Sequence, residues 1–255
     1  MAVLTNDVRA AAAPPRAIGR YDRVFYGGMA IAAAVMTLVG FAPTYYLRFF
    51  DGGPQATISG GPFSSLLHLH GALFSAWVLL FITQTALISS RRVAVHRKLG
   101  VFGAVLAAAM TLAGVFAGID MGRRGAAPPG IDPLSFMAIP LGDMVMFAGF
   151  VAAAVAMRRD RESHKRWMLL AYASILAAPA ARLPGVLPLG PLAFYGIALL
   201  VVAAGVIYDQ VSRGTIHRVY RWGGGLLLLS VPARLALSGT DAWHATARFL
   251  IRVTS

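Results

Sequence analysis

Apolar stretches of about 20 residues alternate with short polar connections along most of this chain. Seven can be drawn: 24–47, 63–90, 99–119, 133–157, 165–183, 189–211 and 218–237. At a helical rise of about 1.5 Å per residue, each approaches the thickness of a bilayer's hydrocarbon core. The connections are rich in Gly, Pro and charge, which ends one helix before the next begins. The pattern predicts an all-α membrane protein: a bundle of about seven transmembrane helices forming one domain, 24–238. Residues 1–23, rich in Ala, Pro and Arg, are expected to be a disordered cytoplasmic segment. No small-residue cleavage site follows a short apolar run, so the first span is expected to be an uncleaved anchor.

The second stretch carries the clearest pattern. His70, Trp77, Gln84 and Arg91 recur every seven residues, flanked by Leu73, Leu80 and Leu87. Positions seven apart lie nearly on one helix face. Hydrocarbon cannot satisfy imidazole or amide groups, so this face is expected to point into the bundle. At the other end of the chain, 240–255 has helical period. Trp243, Ala247, Leu250 and Ile251 share one face and His244, Arg248 and Arg252 another, predicting an amphipathic interfacial helix at the outer surface.

Composition sharpens this picture. The chain is 58% hydrophobic and 13% charged, with mean hydropathy +0.67, which excludes an ordinary soluble domain. Absence of cysteine removes disulfides, Fe–S clusters and thiolate metal sites. The net charge of +13 fits loops held against anionic lipid at the cytoplasmic face better than it fits nucleic acid. Sixteen of the 23 Lys and Arg residues fall before the first span and in the second-to-third, fourth-to-fifth and sixth-to-seventh connections. Positive residues stay inside, so the N-terminus is expected in the cytoplasm and the C-terminus outside. The location expected is a bacterial inner membrane.

A weak internal repeat follows the same connections. VHRKLG (95–100), SHKRWM (163–168) and IHRVYRWG (216–223) open the third, fifth and seventh spans, and the fifth and seventh end alike in PAARL (179–183) and PARL (232–235). Each of these two helices would hold a His at the inner surface and an Arg at the outer one, about 25–27 Å apart.

Candidate chemistry lies within the spans. Asp143 stands about ten residues into the fourth, where a lone carboxylate must take a proton or find a cation. Arg182 and Arg234 are the cations expected nearest to it. His70, Asp143, Arg182 and Arg234 are expected to surround a polar cavity opening outward, with Trp77 as an apolar wall and Gln84 deeper. His68 and His70, two apart, point to different faces and do not grip one metal together, and no metal site is expected. His96, His164 and His217 invite haem ligation, but charged residues follow each along its helix, which places them at the polar layer. Gly114 and Gly118 form a GxxxG pair suited to close helix packing, as do Gly223 to Gly225.

HRKLG (96–100), HKRWM (164–168) and HxHG (68–71) with the following W and Q resemble a family of bacterial polytopic inner-membrane proteins that has no assigned activity. The resemblance covers most of 63–240 and implies a multi-pass location without site residues. A looser similarity to cytochrome b561-type bundles rests on histidines in helices.

Three functions stay open. One is binding or carriage of a small anionic, quinone-like or lipid ligand in the outer cavity. A second is electron transfer by b-type haem held by His68, His70, His96, His164 or His217. The third is an accessory role, with a homo-oligomer or a membrane-complex partner. No phosphate loop, nucleophile elbow or zinc-helix motif supports an enzyme.

Overall fold

The computed structural model describes residues 18–51 and 63–254, which are helical with no strand among them. In order they are α1 (Ile18–Phe41) with a π-helical turn (Ala42–Tyr46), the single turn α2 (Arg48–Asp51), α3 (Ser65–Ser89), α4 (Val93–Arg123) and α5 (Pro133–Ala156). Then come α6 (Arg161–Ile175), α7 (Ala177–Ala180), α8 (Pro191–Arg213), a second π-helical turn (Tyr220–Gly224) running into α9 (Gly225–Ser238), and α10 (Asp241–Val253).

Local chemistry sets these boundaries. Ser64, Asp132, Asp160 and Thr240 cap α3, α5, α6 and α10, each side-chain oxygen accepting from a backbone N–H of the first turn. Gly214 ends α8 in the left-handed region at φ 74°. Proline explains the break inside the predicted fifth span. Pro179 has no N–H to give the carbonyl four residues back, and α6 stops at that residue, Ile175, before α7.

Among the described residues, five helices are long and apolar enough to cross a membrane: 21–46, α3, α4, α5 and α8. The predicted fifth and seventh spans are helical but interrupted, as α6 with α7 and as the π-helical turn with α9. The fifth, the least apolar of the set, lies at the centre. Leu169 to Ala177 are buried without interruption, and Arg166 is fully buried with them. Apolar side chains on the outside of other helices face outward, among them Leu79, Val101, Val105 and Val145.

Small residues bring the helices together. A Cβ on Gly114 would stand 2.2 Å from Met144 Sδ, one on Gly122 2.0 Å from Met137 Sδ, and Gly118 faces Leu141. The GxxxG pair therefore extends by a third glycine and seats α5 on α4, as expected. Gly223 receives Trp167 and Leu170, and Gly40 passes against the Pro179 backbone.

Three expectations need correction. The segment 1–23 is not irregular throughout: α1 begins at Ile18, and the rest of the segment lies outside the described residues. Arg91 leaves the heptad seam, because α3 has ended and the residue takes φ 62° in the turn. The tail is helical with the predicted faces, yet its apolar face rests on protein. Ala247 is fully buried against Ile119, Met137 and Leu141, with Trp243, Leu250 and Ile251 packed beside it. Trp243 Nε1 donates to the Leu134 carbonyl (2.8 Å), and His244 Nε2 lies 2.9 Å from Ser135 Oγ. Polar groups exposed at the start of α5 give the tail a partner that a lipid surface would not.

Candidate functional site

Asp143 on α5 is 6% exposed, and it finds one of the two expected cations. Arg234 Nη1 donates to Asp143 Oδ1 (2.6 Å) and to Tyr195 Oη (3.0 Å), and the Tyr195 hydroxyl donates to the same carboxylate oxygen (2.9 Å). The rest of the guanidinium is held by the Ser230 carbonyl and hydroxyl and the Ile139 carbonyl. α5, α8 and α9 are thus joined by a closed triad in which the charges and most donors are satisfied.

Arg182 does not join it. Its guanidinium lies over the Phe41 ring, 4.4 Å from the centroid, and Nη1 donates to the Ala178 carbonyl (2.6 Å). The likeness of PAARL to PARL hides a difference in backbone. Arg234 continues a helix, whereas Arg182 follows the break after α6 and turns toward the end of α1. There its charge bears on the His70 ring, which packs on Phe74 at 4.1 Å between centroids.

This second group carries unmet polar capacity. Among the described residues, His70 Nδ1 and Arg182 Nε are both buried without a hydrogen-bond partner. Phe41 and Phe74 border the two side chains, whereas Trp77 packs edge-on against Phe147 at 5.2 Å. Tyr45 covers Gly71, where any Cβ would stand 2.5 Å from its ring. The single expected cavity thus separates into a closed triad and, apart from it, the pair His70 and Arg182. Gln84 belongs to neither, for its amide donates to the His96 carbonyl at the inner end (3.2 Å).

The inner histidines separate as well. His96 and His164 meet edge to face, 6.3 Å between ring centroids. His164 Nδ1 is 2.8 Å from the Ala154 carbonyl, which fixes the ring and leaves Nε2 free. His217 Nδ1 accepts from the Val219 N–H (3.2 Å), and burial and the Arg166 charge hold its imidazole below the ordinary pKa. His68 sits beside Tyr45 and Phe63, far from the inner pair.

The largest polar assembly was not expected from the sequence. Arg166 grips Asp209 with Nε (2.9 Å) and Nη2, and gives Nη1 to Glu162 Oε2 (2.8 Å). Arg213 bonds both oxygens of Asp22 (2.7 and 2.9 Å) and reaches Asp209 and Glu162 at 3.3 Å. Lys165 bridges Asp22 and Glu162, each at 2.6 Å. Three acids and three bases cancel, tying α1, α6 and α8 together at one end of the bundle. Burial works against the Glu162 carboxylate, but hydrogen bonds from Arg166 and Lys165 outweigh it and hold its pKa below the ordinary value.

No protein-family model matches the chain, and no curated protein or solved structure matches it.

Proposed function

We propose that this chain is a multi-pass protein of a bacterial inner membrane. Its seven helices cross with the N-terminus at the cytoplasmic face and the C-terminus outside. It takes up a small ligand bearing oxygen acceptors, a quinone or an organic anion, in its outer half. The observation that carries this reading is the pair of unmet, buried nitrogens on His70 and Arg182, framed by aromatic rings. A buried polar nitrogen without a partner costs free energy, and a ligand oxygen would recover it at Arg182 Nε and, in the tautomer protonated there, at His70 Nδ1. A flat carbonyl compound suits the surroundings, since the Phe41 and Phe74 rings border the two nitrogens. Asp143 and Arg234 lie outside this site, because each already satisfies the other.

The test is equilibrium binding of decylubiquinone and of benzoate to the detergent-purified protein. Binding of at least one, weakened about tenfold by Arg182→Met or His70→Ala, is the expected result. No binding of either, or equal binding by the variants, would remove the proposal.

A second reading has one specific observation in its favour. His96 and His164 approach from α4 and α6, and the backbone bond at His164 Nδ1 resembles the outer support that metal-bound imidazoles use. These two residues would hold a b-type haem, which would supply one-electron chemistry. The reduced-minus-oxidised spectrum of the purified protein tests it: a Soret band lost on replacing either residue would support it.

A further inference from the structure

The inner end carries a feature that neither reading uses. A cleft of about 290 Å³ opens between Met157, Trp167, Arg218, Val219 and Trp222. Trp167 forms its floor, held by a 3.2 Å contact from Nε1 to Met157 Sδ and by the absent side chain of Gly223. Trp222 stands at its side, 78% exposed, and Arg218 at its rim has a side chain 64% exposed, with Asp160 3.7 Å away.

We infer that this cleft seats the headgroup of an anionic phospholipid. Charge is the first argument. The six-residue assembly of Asp22, Glu162, Asp209, Lys165, Arg166 and Arg213 cancels within itself. The flanking segments 157–161 and 216–222 then hold Arg158, Arg159, Arg161, Arg218 and Arg221 against Asp160 alone. Asp160 is itself engaged, accepting from the Glu162 and Ser163 amides and the Ser163 hydroxyl as the cap of α6. The surplus positive charge therefore collects around the cleft, where it complements a phosphate diester.

Shape is the second argument, and it selects a lipid over a soluble anion. The π-helical turn that holds Trp222 runs directly into α9, where Leu226 (56% exposed) and Leu229 (67% exposed), three apart, form an exposed apolar stripe leading away from the cleft. A headgroup at Arg218 places its acyl chain on that stripe. Paired indoles at the polar layer suit the glycerol region between the two. This inference rests on the chain spanning a membrane and is independent of what binds at His70 and Arg182.

The test is quenching of tryptophan fluorescence in full-length, delipidated protein by brominated phosphatidylglycerol and brominated phosphatidylcholine in mixed micelles. Phosphatidylglycerol is expected to quench at about tenfold lower mole fraction, the scale of one charge-assisted hydrogen bond. Arg218→Ala should erase that preference, and Arg218→Lys should keep part of it. Arg218 is exposed, so both variants should fold, which an unchanged melting temperature would verify. Equal quenching by the two lipids, a preference that survives Arg218→Ala, or displacement by excess inorganic phosphate would overturn the assignment.

Discussion

Arg234 passes through the space that a side chain on Gly142 would occupy. Its Cδ lies 2.0 Å from the position of a Cβ there, and beyond that point the guanidinium reaches Asp143. The glycine beside the buried carboxylate is thus part of the ion pair's construction. Gly142→Ala should displace the whole side chain, since the blocked atom is in its stem, and destabilise the protein by about 1–3 kcal/mol through overpacking, more where the pair breaks. Gly149 on the same helix has nothing within 4 Å, and Gly149→Ala should be neutral or slightly stabilising. Thermal unfolding of the two variants in one detergent checks the contrast.

The buried Arg166–Asp209 pair gives a sharper case. Both side chains are fully buried, so removing one leaves the other's buried charge with only its flanking partner, Glu162 for Arg166 or Arg213 for Asp209. Asp209→Ala or Arg166→Ala should each cost about 3–5 kcal/mol, and the double replacement Arg166→Met with Asp209→Leu far less than their sum. A double-mutant cycle on unfolding midpoints measures the coupling; additive losses would mean that the two residues act separately.

Acid should weaken the start of α6. Glu162 has a folded-state pKa held below its ordinary value, and so has Asp160, through hydrogen bonds from Ser163. A depressed carboxylate stabilises the fold fully above its unfolded pKa, about 4.3 for Glu and 3.9 for Asp, and loses that contribution as pH falls through the folded value. These groups should therefore leave stability level from neutral pH down to about 5 and steepen its loss below about 4. Glu162→Gln should reduce the acid slope while lowering stability at neutral pH, as melting curves across that range would show.

The tail predicts a local effect. His244 reaches Ser135 and lies 3.5 Å from Asp132, and Trp243 donates to Leu134, so α10 is held by the first turn of α5. Trp243→Ala with His244→Ala should release it, raising the rate of proteolytic removal of the C-terminus without shifting the main unfolding transition. Unchanged proteolysis would mean that the Ala247 face alone holds the helix.

Some of this architecture is written plainly in the residues. The helical pattern locates the long helices but not α2 or the first turns of α1, and the seam of His70, Trp77 and Gln84 does turn toward other helices. The Asp143–Arg234 pair is readable because a carboxylate within a span has few cations to meet. Arg182 misleads because sequence likeness cannot register the helix break that Pro179 imposes. The inner assembly is hidden for a different reason. Lys165, Arg166 and Arg213 read as loop charges that set orientation, and Asp22 falls in a segment whose composition suggests disorder. Asp209 closes the sixth span, where only its spacing of four from Arg213 hints at a partner. Tyr195 carries no signal at all before α8 is placed beside α5.

The most direct measurement compares decylubiquinone affinity in two altered proteins, Arg182→Met and the double variant Asp143→Asn with Arg234→Met. If the ligand sits on His70 and Arg182 while the Asp143 triad is a lock, the first loses about tenfold in affinity and the second binds nearly as the parent does. Loss confined to the double variant would contradict the account and return the ligand to Asp143.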